Sequence, residues 1–189
     1  GLVGSEMCIR DRIIVGLLCV LFAFLYTTGP YPLSYNGWGD VLVIVFFGFV
    51  PVGGTYYVQA LTWTSDTTVA SLICGLLIDT LLVVNNYRDR EADARSGKRT
   101  VIVRFGEKFG RYLYLMLGGA ASLLCFWFFF EGHLFAALLP LLYLIPHVLT
   151  WRRMVQIHSG KKLNSILGDT SRNMLLMGIL LSIGFLIRH

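Results

Sequence analysis

Asp89 and Asp93 are the residues of this chain best placed to do chemistry. They lie four apart in the stretch Asp79–Arg104, DTLLVVNNYRDREADARSGKRTVIVR. On a helix that spacing puts both carboxylates on one face, with Cβ atoms roughly 5–6 Å apart. Asn85 falls one turn back on the stripe and Asn86 lies beside it. Magnesium prefers such hard oxygen donors, keeps several waters, and is commonly held by one or two carboxylates plus substrate phosphates. Downstream come Lys98, Arg99 and Arg104, which a turn at Gly97 can fold back toward the acids. Carboxylates holding magnesium with cations nearby suit a diphosphate leaving group, because metal and cations offset the charge that develops on its oxygens. The same spacing also serves a solvated salt-bridge face, for which Arg88, Arg90 and Glu91 are suited. Spacing alone leaves both readings open, and the Asn pair favours the metal.

The elements that must position these residues are membrane helices. Of 189 residues 56% are hydrophobic and 14% charged, with a mean hydropathy of +0.67, where soluble domains carry about 25% charged residues. The net charge of +5 does not mark a nucleic-acid binder, since the basic residues cluster between apolar runs rather than along a polar face. Six apolar blocks, each near the roughly 17–25 residues that span a bilayer, read as Ile13–Thr28, Val41–Leu61, Thr67–Val84, Tyr112–Phe130, His133–Trp151 and Thr170–Ile187. The expected fold is therefore all-α, a polytopic transmembrane helix bundle embedded in lipid. The third-to-fourth connection holds Arg88, Arg90, Arg95, Lys98, Arg99, Arg104 and Lys108, and the fifth-to-sixth holds Arg152, Arg153, Lys161 and Lys162. The turns TWTSD and EGH lack Lys and Arg. That alternation predicts basic connections on the cytoplasmic side, together with the first connection GPYPLSYNGWGD.

Residues 1–12, GLVGSEMCIRDR, are mixed and polar, unlike the apolar run that begins at Ile13. They read as a non-native leader, leaving 13–189 as part of one transmembrane domain. Pro51 with Gly53 and Gly54 is expected to interrupt the second block, and Pro140 and Pro146 the fifth. The four cysteines (Cys8, Cys19, Cys74, Cys125) show no C-x-x-C spacing, which argues against a disulfide framework or a zinc site.

NNYRDREADARSGKRTVIVRFG resembles the second aspartate-rich motif of the UbiA superfamily of intramembrane aromatic prenyltransferases. Its wording is nearest to the dihydroxynaphthoate polyprenyltransferases of menaquinone biosynthesis, N-N-x-R-D-x-x-x-D-x-x-x-G-K-x-T. YPLSYNGWGD with FFGFVPVGGTYYVQ, and LNSILGDTSRN, resemble that subfamily's central segment and the start of its last helix. The resemblance implies a nine-helix bundle around a lipid-open cavity, with the six blocks corresponding to helices four to nine. It implies that Asp89 and Asp93 bind Mg2+ that grips a polyprenyl diphosphate, with Asn86 supporting them and Lys98 and Arg104 contacting the diphosphate. The implied reaction is ionisation to an allylic cation, attack by the ring of 1,4-dihydroxy-2-naphthoate and loss of its carboxyl group as carbon dioxide. A multi-pass place in the bacterial inner membrane, with the aspartate motif cytoplasmic, is also implied. The family's first motif, of N-D-x-x-D type, is absent from these 189 residues, so they are expected not to catalyse transfer alone.

Four further residues are read as lining the cavity. Asp79 lies inside an apolar block, where an acid costs roughly 2.5–3.5 kcal/mol on insertion scales. Seven residues before Asn86, it faces the bundle interior, either supporting the metal site or bonding to a neighbouring helix. Tyr56, Tyr57 and Gln59 come after the Pro51 break, and a tyrosine face there could shield an allylic cation. Two other readings compete: a relative using another acceptor such as 4-hydroxybenzoate, and a transporter whose Asp79 and broken helices form a substrate pathway. The D-G-x-x-A-R element of CDP-alcohol phosphotransferases is missing.

Overall fold

A computed structural model describes the backbone of residues 2–27 and 33–187, and the side chains of 13–25 and 33–187. The side chains of the leader, and residues 29–32 of the first connection, lie outside the described residues. Six long helices run in order: α1 Leu2–Thr27, then α2 Gly39–Ala60, α3 Ser65–Arg95, α4 Glu107–Phe130, α5 Leu134–Ile157 and α6 Lys161–Leu186. The last five are long and apolar enough to cross a membrane, while the apolar part of α1, Ile13–Leu25, is shorter. No strand occurs among the described residues. The fold is the expected all-α polytopic bundle.

Helix α3 carries the acids and touches most of its neighbours. Its start is capped by Thr64, whose Oγ1 accepts the Thr67 N–H at 3.1 Å, and Asp66 sits in the first turn, where a negative charge complements the helix dipole. Hydropathy ends at Val84 but the helix does not. It runs eleven residues further, to Arg95, because Arg, Glu and Ala are good helix formers. Thus the whole NNYRDREADAR stretch is helical and not a loop.

The prolines are absorbed in two ways. Around Pro51, α2 winds as a π-helix over Ile44–Gly53 without breaking, a widening that occurs often at functional sites. In α5, Pro140 opens a tighter 3-10 segment, Leu139–Tyr143, between two α-helical stretches. Pro146 lies in the second of these stretches. Helices α2 and α3 cross closely. A Cβ on Gly48 would lie 2.4 Å from the Ser71 carbonyl, and one on Gly75 2.9 Å from the Ile44 backbone.

The connections sort to two ends. At one, the Arg99 N–H donates to Tyr35 O at 2.7 Å, Arg104 Nη2 donates to Asn36 O at 2.7 Å, and Arg88 Nη1 donates to Asn164 Oδ1 at 2.9 Å. The α1–α2, α3–α4 and α5–α6 connections therefore meet around the acidic motif. At the other, Trp127 Nε1 near the end of α4 donates to Asp66 Oδ1 at the start of α3. This is the alternation read from the basic residues. Below the motif lies an apolar cluster of Val83, Val84, Tyr87, Ile102, Tyr114, Leu117, Met154, Leu163 and Ile166. Ile102 belongs to the short helix Val101–Phe105, capped by Thr100 Oγ1 accepting the Val103 N–H, and it pins the α3–α4 connection down.

Candidate active site

The end of α3 folds a lysine onto an acid. Gly97 has φ of +77°, a left-handed conformation that glycine adopts without strain. The Lys98 N–H donates to Asp93 O at 2.9 Å and the Gly97 N–H to Ala94 O at 3.3 Å, the paired bonds of a Schellman stop. The chain reverses, and Lys98 Nζ comes to 3.4 Å from Asp93 Oδ2. That contact is an ion pair, but it lies off the line a hydrogen bond needs, and the buried Asp93 Oδ2 has no hydrogen-bond partner.

Asp89 is held differently. Arg88 Nε donates to Asp89 Oδ1 at 2.8 Å and Arg88 Nη2 to Asp89 Oδ2 at 2.6 Å. The third guanidinium nitrogen reaches Asn164, the first residue of the α-helical part of α6. The Asp89 side chain is 44% exposed against 13% for Asp93. One carboxylate thus opens toward solvent and α6, and the other is enclosed beneath the Gly97 turn. Each faces one cation of the chain.

A charged brace fixes this end of α3. Arg90 lies over the Tyr87 ring at 4.6 Å, donates to Tyr87 O and pairs with Glu107 at 3.2 Å. Arg111 donates to the Tyr87 hydroxyl at 2.9 Å and pairs with Glu107 as well. His158 Nδ1 is 3.3 Å from the same Glu107 carboxylate. Helices α3, α4 and the end of α5 are joined here, so the motif stands on a fixed base.

Asn86 is buried on α3, seven residues from both Asp79 and Asp93, so the three share a face. Arg104 reaches Asn36 rather than either acid. Asp79 is 1% exposed, and its Oδ1 has no hydrogen-bond partner. Tyr56, Tyr57 and Gln59 lie at the opposite end of α2. There Tyr56 and Gln59 line an open groove with Pro51, Val52, Thr55 and Ala60, and they are not gathered with Asp89 and Asp93.

Two carboxylates one turn apart, one with a buried oxygen that accepts no hydrogen bond, suit a hard divalent cation such as magnesium. Among the described residues no three His, Cys, Asp or Glu side chains converge on a point.

The model of the UbiA prenyltransferase family matches residues 11–183. The chain belongs to that family. It is similar to the 1,4-dihydroxy-2-naphthoate octaprenyltransferase of Haemophilus influenzae, 37% identical over 180 residues that cover 92% of this chain and 56% of the relative. The enzymes of the same name from Escherichia coli and Mycobacterium tuberculosis are 38% and 41% identical. They match over 69% and 67% of this chain and 44% and 43% of their own lengths. The chain spans about half the length of the curated relatives it matches. No solved structure matches it.

Within this UbiA-family chain, reading the sequence passed over Asn164, Glu107 and Arg111 as neighbours of the motif. Their contacts span up to 76 residues, which local spacing does not report. One signal was available. LNSILGDTSRN is dense in polar residues at the start of a membrane helix, where each must find a partner.

Proposed function

We propose that this UbiA-family chain is the part of a magnesium-dependent prenyltransferase that binds the diphosphate of a polyprenyl diphosphate. The acceptor is 1,4-dihydroxy-2-naphthoate, as the names of its relatives and the wording of its motif suggest. One observation carries the reading: Asp93 keeps a buried carboxylate oxygen without a hydrogen bond, one helical turn from Asp89 and facing Lys98. A buried charge left this way is costly unless something else occupies the place. Asp89 and Asp93 would hold the metal, and Asn86 supports them from the shared face. When bound, magnesium supplies positive charge to the diphosphate oxygens.

Lys98, fixed by the Gly97 turn, offers a cation to the leaving group, and Arg104 stands at the rim of the same end. In the reaction the C1–O bond of the prenyl diphosphate breaks and its electron pair leaves with the diphosphate. The ring carbon bearing the carboxylate then bonds to C1, and carbon dioxide departs, returning its bonding pair to the ring. Apolar helix faces keep water from the allylic cation. The end of the bundle bearing these residues faces the cytoplasm of a bacterial inner membrane, by the rule that basic connections stay inside.

The test uses the complete reading frame that carries this chain, expressed in membranes and supplied with polyprenyl diphosphate. Asp89→Asn or Asp93→Asn is expected to lower product formation at least about a hundredfold. Near-normal turnover in both variants would sink the assignment. Offered dihydroxynaphthoate and 4-hydroxybenzoate together, the enzyme is expected to prenylate the naphthoate. These 189 residues alone, lacking an N-D-x-x-D motif, are expected to give no product. The buried Asp79 oxygen without a hydrogen bond, with the irregular helices around Pro51 and Pro140, favours a transporter, and that reading requires Asp79→Asn to abolish function while Asp89→Asn is tolerated.

A further inference from the structure

Among the described residues, the cations paired with the two acids differ in kind. Lys98 approaches Asp93 as a point charge, off the line of a hydrogen bond. Arg88 satisfies both oxygens of Asp89, through Nε at 2.8 Å and Nη2 at 2.6 Å. A metal approaching Asp89 therefore meets a guanidinium already bound to both oxygens, and its positive charge opposes the metal. Arg90, two residues on, is tied to Tyr87 O and Glu107 with a side chain only 12% exposed. Arg88 is 25% exposed, and outside α3 it donates to the carboxamide oxygen of Asn164. An ion pair whose acid is 44% exposed is screened by solvent, so a divalent cation can compete with it. The guanidinium, expelled but still tethered through Nη1, keeps the planar fork that suits phosphate.

We propose that Arg88 is a resident counter-ion of this site: it occupies Asp89 in the unloaded protein and turns to the diphosphate once metal binds. Asn164, at the start of α6, is a positioning residue that holds Arg88 within reach of both. This rests on the reading of Asp89 and Asp93 as a magnesium–diphosphate site. It assigns Arg88 two effects of opposite sign, since it competes with bare metal and assists the metal–diphosphate pair. A residue that merely supported the fold would weaken both when removed.

The complete protein that carries this chain, in lipid nanodiscs, is titrated with Mn2+ and monitored by electron paramagnetic resonance, first alone and then with inorganic pyrophosphate. Arg88→Gln is expected to bind Mn2+ alone up to about fivefold tighter, the ceiling set by a part-exposed ion pair. It is expected to bind pyrophosphate on the Mn2+-loaded protein about tenfold more weakly. Asn164→Ala is expected to weaken pyrophosphate roughly threefold, and that loss should vanish in the Arg88→Gln background, the sign of two residues acting as one. Arg88→Lys keeps the charge and loses the fork. It should show the same two signs at smaller size, and it carries the test if Arg88→Gln does not hold its fold. Unchanged or weaker Mn2+ binding in the Arg88 variants, or unchanged pyrophosphate binding, overturns the proposal. Asp89→Asn separates the two levels. If it abolishes Mn2+ binding while the Arg88 variants fail to tighten it, only this inference falls. If folded Asp89→Asn binds Mn2+ normally, the metal site itself falls.

Discussion

Helices α4, α5 and α6 meet through buried polar pairs, whereas α2 meets α3 along an extensive face of close backbone approach. In the first group Tyr114 Oη lies 3.0 Å from Thr170 Oγ1, Asn173 Nδ2 donates to Thr150 Oγ1 at 2.9 Å, and Trp151 Nε1 donates to Arg111 O at 2.8 Å. His147, fully buried, bonds Tyr143 at 2.9 Å through Nδ1 and faces Leu115 O through Nε2. Between α2 and α3 there are the Gly48–Ser71–Gly75 contact and a long thiol bond from Cys74 to Phe47 O at 3.7 Å. Lipid gives apolar helices little reason to prefer one neighbour over another, so polar pairs and small residues decide the packing. In the polar half the hydrogen bonds set the register of the three helices. That half delivers Asn164 to Arg88.

The contrast can be broken where it is sharpest. Gly118 sits beside His147, and a Cβ there would lie 2.3 Å from the ring nitrogen Nε2. Because the ring is held at both nitrogens, Gly118→Ala is expected to cost about 3 kcal/mol, read from unfolding in detergent. Gly48→Ala meets an equally close atom, the Ser71 carbonyl at 2.4 Å. Here α2 is expected to move away and limit the loss to about 1.5 kcal/mol, with a wider α2–α3 spacing visible by site-directed cross-linking. Equal losses at the two glycines would erase the distinction. The smallest effect is expected from Asn173→Leu, about 1.2 kcal/mol for its two hydrogen bonds to α5, to Thr150 Oγ1 and Pro146 O, at about 0.6 kcal/mol each in a membrane. A loss several times larger would mean that the polar pairs act as a single network.

Much of this is legible in the sequence, for reasons specific to each part. Hydropathy marks the helices and the basic connections mark their shared end, because both arise from single-residue transfer energies. Gly97 signals the turn that returns Lys98 to Asp93, since that geometry is local. The continuation of α3 through Arg95 is not legible in hydropathy, because the apolar signal stops at Val84 while helix propensity carries on. Arg104, expected at the acids, reaches Asn36, a contact set by how the first connection packs over the third. The pairing of Arg88 with Asn164 depends on where α6 begins relative to α3, and no local spacing contains that.

The length of α3 has a further consequence. Its 31 residues rise about 46 Å, whereas the oil of a bilayer is about 30 Å thick, so roughly ten residues stand clear of it. The helix is a mast with its acids near the masthead and Asp79 below the waterline. Acyl chains of different length would change the tilt of the mast, and with it the height at which a charged head group is met while its tail stays submerged.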